Sequence, residues 1–503
     1  MRRSPTSAVV LVAALLAGCT VGPNYRPATV ATPPGYAEPQ PPVVTAVDLA
    51  KPWTAFGDPV LTGLIERALK DNPDIRVAAS RVRQARLQEI VARAGGKPVI
   101  NANANVTYLH FSKNAGISSI ARQFGGGAAG GAGGAGGGAG TGTGGGIAAP
   151  GGDIVTYALG FDASWELDLF GGNRRSVEGA VARTQAAEWN SRDAATMVAA
   201  EVAQAYWALR LDQAQLAIVA DELARQRRSL GIAESQAKVG LVPNADLTQQ
   251  RSTVSSTEAR AEPIRADLEL RNHSLAILLG EAPAALTATL TAPAPPLQAA
   301  PAVPAGLPSD LLRRRPDIRA AERNLAAATA DIGVAVADLY PRFSLTGMAQ
   351  LISTALGNLF SGDSLQVNGS SALQFPVLDW GRRRATIGLR REQREQAYLE
   401  YQATVLGALR DVEDALAQLD AERRRHDALT RAVNDALGTA KSREAQYRTG
   451  FVAQNTLLDA QAQVLAAREQ LAGSDAMLRQ DTVALMKALG GGWAEAPTPP
   501  TPG

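Results

Sequence analysis

Residues 172–239 contain no proline and only two interior glycines, Gly179 and Gly231. Large apolar residues recur there at every seventh position: Val202, Leu209, Leu216, Leu223 and Leu230. That is the period of a left-handed coiled coil. Ala, Gln, Glu and Arg, all strong helix formers, fill the intervals. At about 1.5 Å per residue such a helix spans roughly 100 Å, several times the length of an ordinary globular helix. The chain must therefore fold around an extended helical element.

The element occurs twice. Residues 381–448 again read as one long helix, with Val405, Leu409, Val412, Leu416 and Leu419 in heptad spacing. Shifting the first heptad column by 210 gives Val412, Leu419, His426, Val433 and Ala440, so the phase is kept. The turns match at the same shift: Val239-Gly240-Leu241 answers Thr449-Gly450-Phe451. The returning helices match as well, through Leu247/Leu457, Val254/Val464, Leu268/Leu478 and Gly280/Gly490. An internal repeat of this kind governs the fold: one body in two halves rather than several unrelated domains.

The remaining signals fit that frame. Fifty basic residues against 48 acidic ones give no general attraction to nucleic acid. Aromatics make up only 5% of the chain, which suits close helix packing. There is one cysteine, Cys19, so no intramolecular disulfide can form. His110, His273 and His426 lie far apart without metal-ligand spacing. No nucleophile elbow and no close His/Asp/Ser set is present, and carboxylates such as Asp411 and Asp414 read as solvated or interhelical charge, so an enzyme is disfavoured.

Residues 1–18 read as a signal peptide, with Arg2 and Arg3 before the short apolar run Ala8–Leu16. Leu16-Ala17-Gly18-Cys19 then resembles a bacterial lipobox, which implies a diacylglycerol and an N-acyl chain on Cys19 and no other cofactor. Thr20, where an aspartate would imply retention at the inner membrane, points the anchor to the outer membrane. Residues 19–52 read as a Pro-rich tether, and Asp58 and Pro59 as the start of the first helix. Asn72-Pro73 should break that helix and start a second, running to about Ala94.

The period then changes to two. Ile100, Ala102, Ala104, Val106 and Tyr108 alternate with Asn101, Asn103, Asn105 and Thr107, giving a strand over about 99–109. A second alternation covers about 154–167. Between them, residues 111–152 are mostly Gly, Ala and Thr and read as a flexible extracellular loop. In the second half, Arg315-Pro316-Asp317-Ile318 answers Asn72-Pro73-Asp74-Ile75, and strands are expected over about 342–351 and 365–377. The early shift is 243 and the later one 210, so the first half carries about 33 extra residues, which fall in the Gly-rich loop. The domain boundaries are thus 53–290 for the first repeat, 291–308 for a linker, 309–493 for the second repeat and 494–503 for a disordered tail.

Each strand is long enough to cross a bilayer when tilted. Four strands cannot close, and an open edge cannot face hydrocarbon. Strands must be pooled: two chains supply about eight, whose interior side chains fill, and three supply about twelve, leaving room for a channel. The fold class is therefore mainly α with a small β part: a long coiled-coil α-barrel tunnel continuous with a transmembrane β-barrel to which each chain gives four strands, in two internal repeats.

Four segments carry a resemblance to a known family: Val21-Gly22-Pro23-Asn24-Tyr25-Arg26-Pro27, Trp165–Gly171, Leu307–Arg319 and Ala488–Trp493. The chain resembles the TolC-like outer-membrane factors, in their lipoprotein (NodT-type) branch. The resemblance implies a homotrimeric, twelve-stranded outer-membrane exit duct of a tripartite efflux system. A periplasmic adaptor (membrane fusion protein) and an inner-membrane pump, commonly of the resistance–nodulation–division type, are the implied partners, besides outer-membrane lipids. The loop 111–152 is longer than the family's. The adaptor-docking tips of the family match Val239, Gly240, Leu241, Thr449, Gly450 and Phe451 here. The acidic ring at its periplasmic aperture matches Asp459, nine residues after Gly450, with Thr456 one turn before; the first half has Gln249 there and Asp246 three residues earlier. The alternative is that Asp459 pairs with a neighbouring helix, through Arg251 or Arg448. Arg174-Arg175 and Arg382–Arg384, following strands two and four, read equally as headgroup anchors or as solvated helix starts. Two other functions stay open at this point: a type I protein-secretion duct and a non-porous coiled-coil lipoprotein.

Overall fold

The structure is a computed structural model describing residues 20–40, 48–110, 153–240, 243–290 and 299–493. The expected signal peptide with Cys19, the Gly-rich loop, Leu241 and the tail from 494 lie outside the described residues. The chain divides into two compact units.

The first unit contains Val91–Val177 and Gly333–Ile387, with Thr20–Gly22. Its centre is an antiparallel sheet in the order β1 (Val99–His110), β2 (Asp153–Leu167), β3 (Arg342–Ser353) and β4 (Leu365–Gln374). The alternation in sequence becomes two chemically distinct faces. On one, Ile100, Ala163 and Gly347, then Ala102, Phe161, Ala349 and Val367, sit side by side across the strands. On the other, Asn101 and Asn103 donate to Asp162, Thr346 meets Ser370 at 2.7 Å, and Gln350 donates to Gln366 at 3.1 Å. The register also tests the repeat. Moving the pair Val99↔Ser164 by 243 on β1 and 210 on β2 gives Arg342↔Gln374, the pair observed between β3 and β4.

The fourth strand is shorter than its expected span, 365–377. It ends at Gln374 because Pro376 has no N–H, and the next position along β3 is Pro341, which also lacks one. The other three strands run one or two residues beyond their expected ends.

The second unit contains Pro23–Ile90, Glu178–Ile332 and the chain from Gly388 onward. The helices of the chain are α1 (Pro59–Asp71), α2 (Pro73–Ala94), α3 (Gly172–Lys238), α4 (Asn244–Leu278), the short α5 (Thr287–Leu290), α6 (Pro308–Arg314), α7 (Pro316–Ala337), α8 (Arg382–Arg448) and α9 (Gln454–Ala488). Matching helices have matching lengths: 22 residues for α2 and α7, 67 for α3 and α8, 35 for α4 and α9. Asp58 caps α1 by accepting from Val60 N at 2.9 Å and Leu61 N at 3.2 Å, and its other oxygen accepts from Tyr206 of α3 at 2.6 Å. The main core gathers Leu61, Leu64, Ile65, Val202, Leu209, Leu275, Leu311, Val412, Leu419 and Leu485. Each fully buried Leu or Ile there contributes about 1.5–3 kcal/mol.

The expected heptad column holds throughout the upper part of α3, where Val202 and Leu209 are fully buried. Below that, Leu216, Leu223 and Leu230 are half-buried, and the buried column becomes Asp212, Val219, Gln226 and Ala233. The neighbour has changed: this part of α3 faces the returning helix α4, through Arg227–Glu258 at 2.6 Å and Glu234–Arg251 at 2.9 Å.

The segment expected to be a tether is irregular, but it is packed. Tyr25 donates to Glu322 at 3.1 Å, and the backbone N–H groups of Ala37 and Glu38 donate to Glu413 at 2.8 and 3.1 Å. In the expected linker, Val303 and Ala305 are buried.

Candidate functional site

The helical turns expected as docking tips share a left-handed glycine. α8 ends in a Schellman arrangement: Gly450 N–H donates to Tyr447 O at 3.0 Å and Phe451 N–H to Gln446 O at 2.9 Å. At the end of α3 the first of these two bonds is matched, Gly240 N–H donating to Ala237 O at 3.0 Å. Both glycines have φ of 74°, the left-handed region that closes such a cap at least cost without a Cβ. A Cβ at either would meet nothing within 4 Å among the described residues. Val239 is 70% and Phe451 84% exposed, so each turn presents an apolar side chain to solvent. Thr449 is exposed beside Phe451, and its hydroxyl donates to Gln446 O at 3.0 Å.

Above the second turn, Asp459 is exposed on α9 and Thr456 is half-buried one turn earlier. Asp459 makes no ion pair among the described residues. Both expected competitors are engaged elsewhere, Arg251 with Glu234 and Arg448 with Glu444. Gln249, its counterpart, is exposed too, whereas the neighbouring Gln250 is buried and donates to Ser229 at 2.6 Å.

Residues 20–22 are fixed in the strand unit. Val21 N–H donates to Phe170 O at 3.1 Å, and Thr20 lies against Gly171, just after β2. Arg175 donates from Nε to Val21 O at 3.2 Å and from Nη2 to Gly22 O at 3.4 Å, and is 3% exposed. It is therefore buried against Val21 and Gly22, which its guanidinium holds in place. Arg174 is tied to Asp168, which also accepts from the N–H groups of Asn173 and Arg174 and so caps α3.

The segments that carry the family resemblance turn out to be joints. Arg315 donates to Asp317 through Nε at 3.1 Å and Nη2 at 2.7 Å, to Asp411 at 3.2 Å, and to Ala488 O at 3.0 Å. Its counterpart Asn72 donates to Leu278 O at 2.8 Å, and Leu278 is the counterpart of Ala488. Two different side chains thus satisfy the same orphan carbonyl near the end of a returning helix. The glycines that follow pack backbone on backbone. A Cβ on Gly280 would lie 2.6 Å from Asp71 O, and one on Gly490 would lie 3.1 Å from Arg314 O. Trp493 closes the joint, donating to Arg314 O at 3.0 Å and meeting Trp189 edge-on at 5.1 Å.

Sequence reasoning missed one seam. Asp212 on α3 pairs with Arg271 on α4 at 2.5 Å. The counterparts of these two residues are Glu422 and Asp481, both carboxylates and each 8% exposed. Burial first, and Glu422 second, push the Asp481 carboxyl up to about 6. Applying the shift of 210 to every charged position on the helices would have exposed this.

A sheet apolar along one face, joined in sequence to paired 67- and 35-residue helical hairpins, defines the protomer of an outer-membrane channel. The model of the family described as outer membrane efflux protein matches residues 64–281 and 307–491, and the chain belongs to that family. It is 31% identical over 505 residues to the antibiotic efflux pump outer membrane protein ArpC of Pseudomonas putida, covering 97% of this chain and 95% of that one. It is 29% identical over 487 residues to the cation efflux system protein CusC of Escherichia coli, covering 96% and 98%. Among solved structures, the outer-membrane channel OprN matches with a TM-score of 0.80 at 30% identity, over 94% of this chain and all of that one.

Proposed function

We propose that this outer-membrane efflux protein is the passive exit duct of a tripartite pump, assembled as a homotrimer. The observation that carries the reading is the sheet: one face is apolar across all four strands, and among the described residues β1 and β4 each have only one neighbour. Edges of this kind must be paired before the sheet can enter hydrocarbon. Twelve strands from three copies enclose a channel rather than a packed core.

Cys19 carries the lipid anchor in this reading. It immediately precedes Thr20, which lies against Gly171 just after β2, and this supports an anchor close to the strands. The two tip turns, with exposed Val239 and Phe451, receive a periplasmic adaptor that couples the duct to an inner-membrane pump of the resistance–nodulation–division type. Three copies of Asp459 ring the aperture, with Thr456 beside them; the exposed carboxylate on α9 supports this, and Asp rings favour cations. The relatives' names include antibiotic and cation efflux, and small molecules of that kind are the cargo proposed here.

Deleting the gene should raise the intracellular level of a fluorescent pump substrate, and the restored wild-type chain should lower it again. Unchanged accumulation across a broad panel of drugs, dyes and metal ions would contradict the efflux reading. Mass spectrometry of the mature protein should find an acylated N-terminal Cys19, and an unmodified thiol would remove the anchor.

A further inference from the structure

Within one copy, α3 and α9 meet along two faces of matching period. Trp207, Arg210 and Ala214 share one face of α3, and Ala472, Ala476 and Arg479 share one face of α9, at spacings of three and four. The alanines are too short to fill the seam, and a cavity of about 40 Å³ lies between the helices. That is room for one occupant the size of a water molecule, whose share of the liquid is about 30 Å³.

The wall of this cavity is rich in donors. Trp207 is 2% exposed, and its indole N–H has no acceptor among the described residues. The ring packs against Phe56 and Tyr206, with centroids at 5.2 and 5.1 Å, so it is not free to swing its N–H out to solvent. A buried N–H of this kind calls for an ordered water or an ion. Arg479 is buried as well, with Cζ 5.5 Å from the indole centroid, and buried Arg210 lies one turn along α3. Asp475 is the carboxylate on the wall. It is half-buried, and its Oδ1 is shared between His426 Nε2 at 3.2 Å and Arg479 Nη1 at 3.5 Å. Two guanidiniums and an indole N–H against one carboxylate leave the wall positive.

The repeat shows that the fold does not demand these side chains. The counterparts of Trp207, Arg210 and Arg479 are Ala417, Asp420 and Glu269: the indole is absent and both charges are reversed. The donor set therefore occurs once per chain.

We propose that this seam binds a small inorganic anion of the size of chloride, with Trp207 Nε1–H and the guanidiniums of Arg210 and Arg479 as its donors. Indole and guanidinium only donate, so the occupant must accept from all of them. A metal cation would meet two like charges. Phosphate and larger anions exceed the volume. A halide is spherical and accepts from several N–H groups at once. Bound there, it ties α3 to α9 and favours the folded state by mass action. The site is built within a single copy and stands apart from the reading of the protein as a duct.

The test uses the full-length, detergent-solubilised protein. Its unfolding temperature is followed by helical circular dichroism while sodium chloride replaces sodium gluconate at constant ionic strength, gluconate being too large to enter. The temperature should rise with chloride and saturate. Trp207→Phe keeps a ring and removes the N–H, and should weaken chloride binding at least about tenfold, the loss of one hydrogen bond to a charged group. Arg210→Gln should abolish the dependence. Wild-type crystals soaked in bromide should show an anomalous peak against Trp207 Nε1, which needs no variant to fold. An ordered water only at that place, a wild type indifferent to chloride, or a dependence unchanged in Trp207→Phe would overturn the site. A bromide peak without any effect of chloride in solution marks an adventitious ion only and overturns it too.

Discussion

Asp481→Asn should stabilise the protein at neutral pH and leave it unchanged in acid. In the wild type, Asp481 occupies the place that Arg271 holds in the first repeat, but it faces Glu422 rather than a cation. Ser474 donates to Glu422, which keeps that carboxylate in place, and Asp481 has no hydrogen bond or ion pair among the described residues. Its carboxyl is raised from 3.8 to about 6. The folded state therefore holds a proton that the unfolded chain releases at lower pH, so the stability that this carboxyl contributes is greatest below about pH 4 and is lost as pH rises through 6. A rise of this size corresponds to at most about 3 kcal/mol per protomer. Asn keeps the shape and cannot ionise, so the variant should lack this slope. Denaturant unfolding of the detergent-solubilised protein, followed by helical circular dichroism from pH 4 to 8, reads the difference. The gain in midpoint should open between pH 4 and 6 and then level off. A gain that is the same at every pH, or none at pH 8, would refute the reasoning. Asp481→Arg, which rebuilds the Asp212–Arg271 pair in the second repeat, should stabilise at neutral pH as well.

Gly280→Ala should cost more than about 2 kcal/mol, because φ is 75° and the added Cβ lies 2.6 Å from Asp71 O; the unfolding midpoint measures it. At the tips, the Cβ of Gly240→Trp or Gly450→Trp meets nothing within 4 Å among the described residues, and the expected cost is the local left-handed strain, about 1–2 kcal/mol. Trimer yield should be normal while drug resistance is lost, and unchanged resistance in both variants would count against docking there. Asp459→Ala should weaken cation preference and block by multivalent cations in a planar bilayer, and identical conductance, selectivity and block would remove Asp459 from the pore.

Much of this architecture was legible because the chain states it twice. The long helices, the returning helices and the glycine at each turn recur at one shift, and a register observed in one half transfers to the other without a slip. What was not legible depends on partners distant in sequence. Arg315 and Asn72 share no chemistry beyond an N–H, and only the carbonyls they reach make them equivalents. Arg175 sits in a basic pair at a helix start and could not be told from a solvated arginine until Val21 and Gly22 were seen against it. The lower part of α3 changes its buried column because α4 returns beside it, which the heptad alone does not encode. Asp459 and the tip glycines were placed through the family's pattern, and their geometry leaves them open to the roles proposed.

The central claim is that one chain supplies a third of a closed barrel. Native mass spectrometry of the detergent-solubilised protein measures this directly. The account predicts a single species of three chains, each carrying its acyl groups, that persists on dilution. A stable monomer would contradict it, because β1 and β4 would then meet lipid with their backbone groups unpaired.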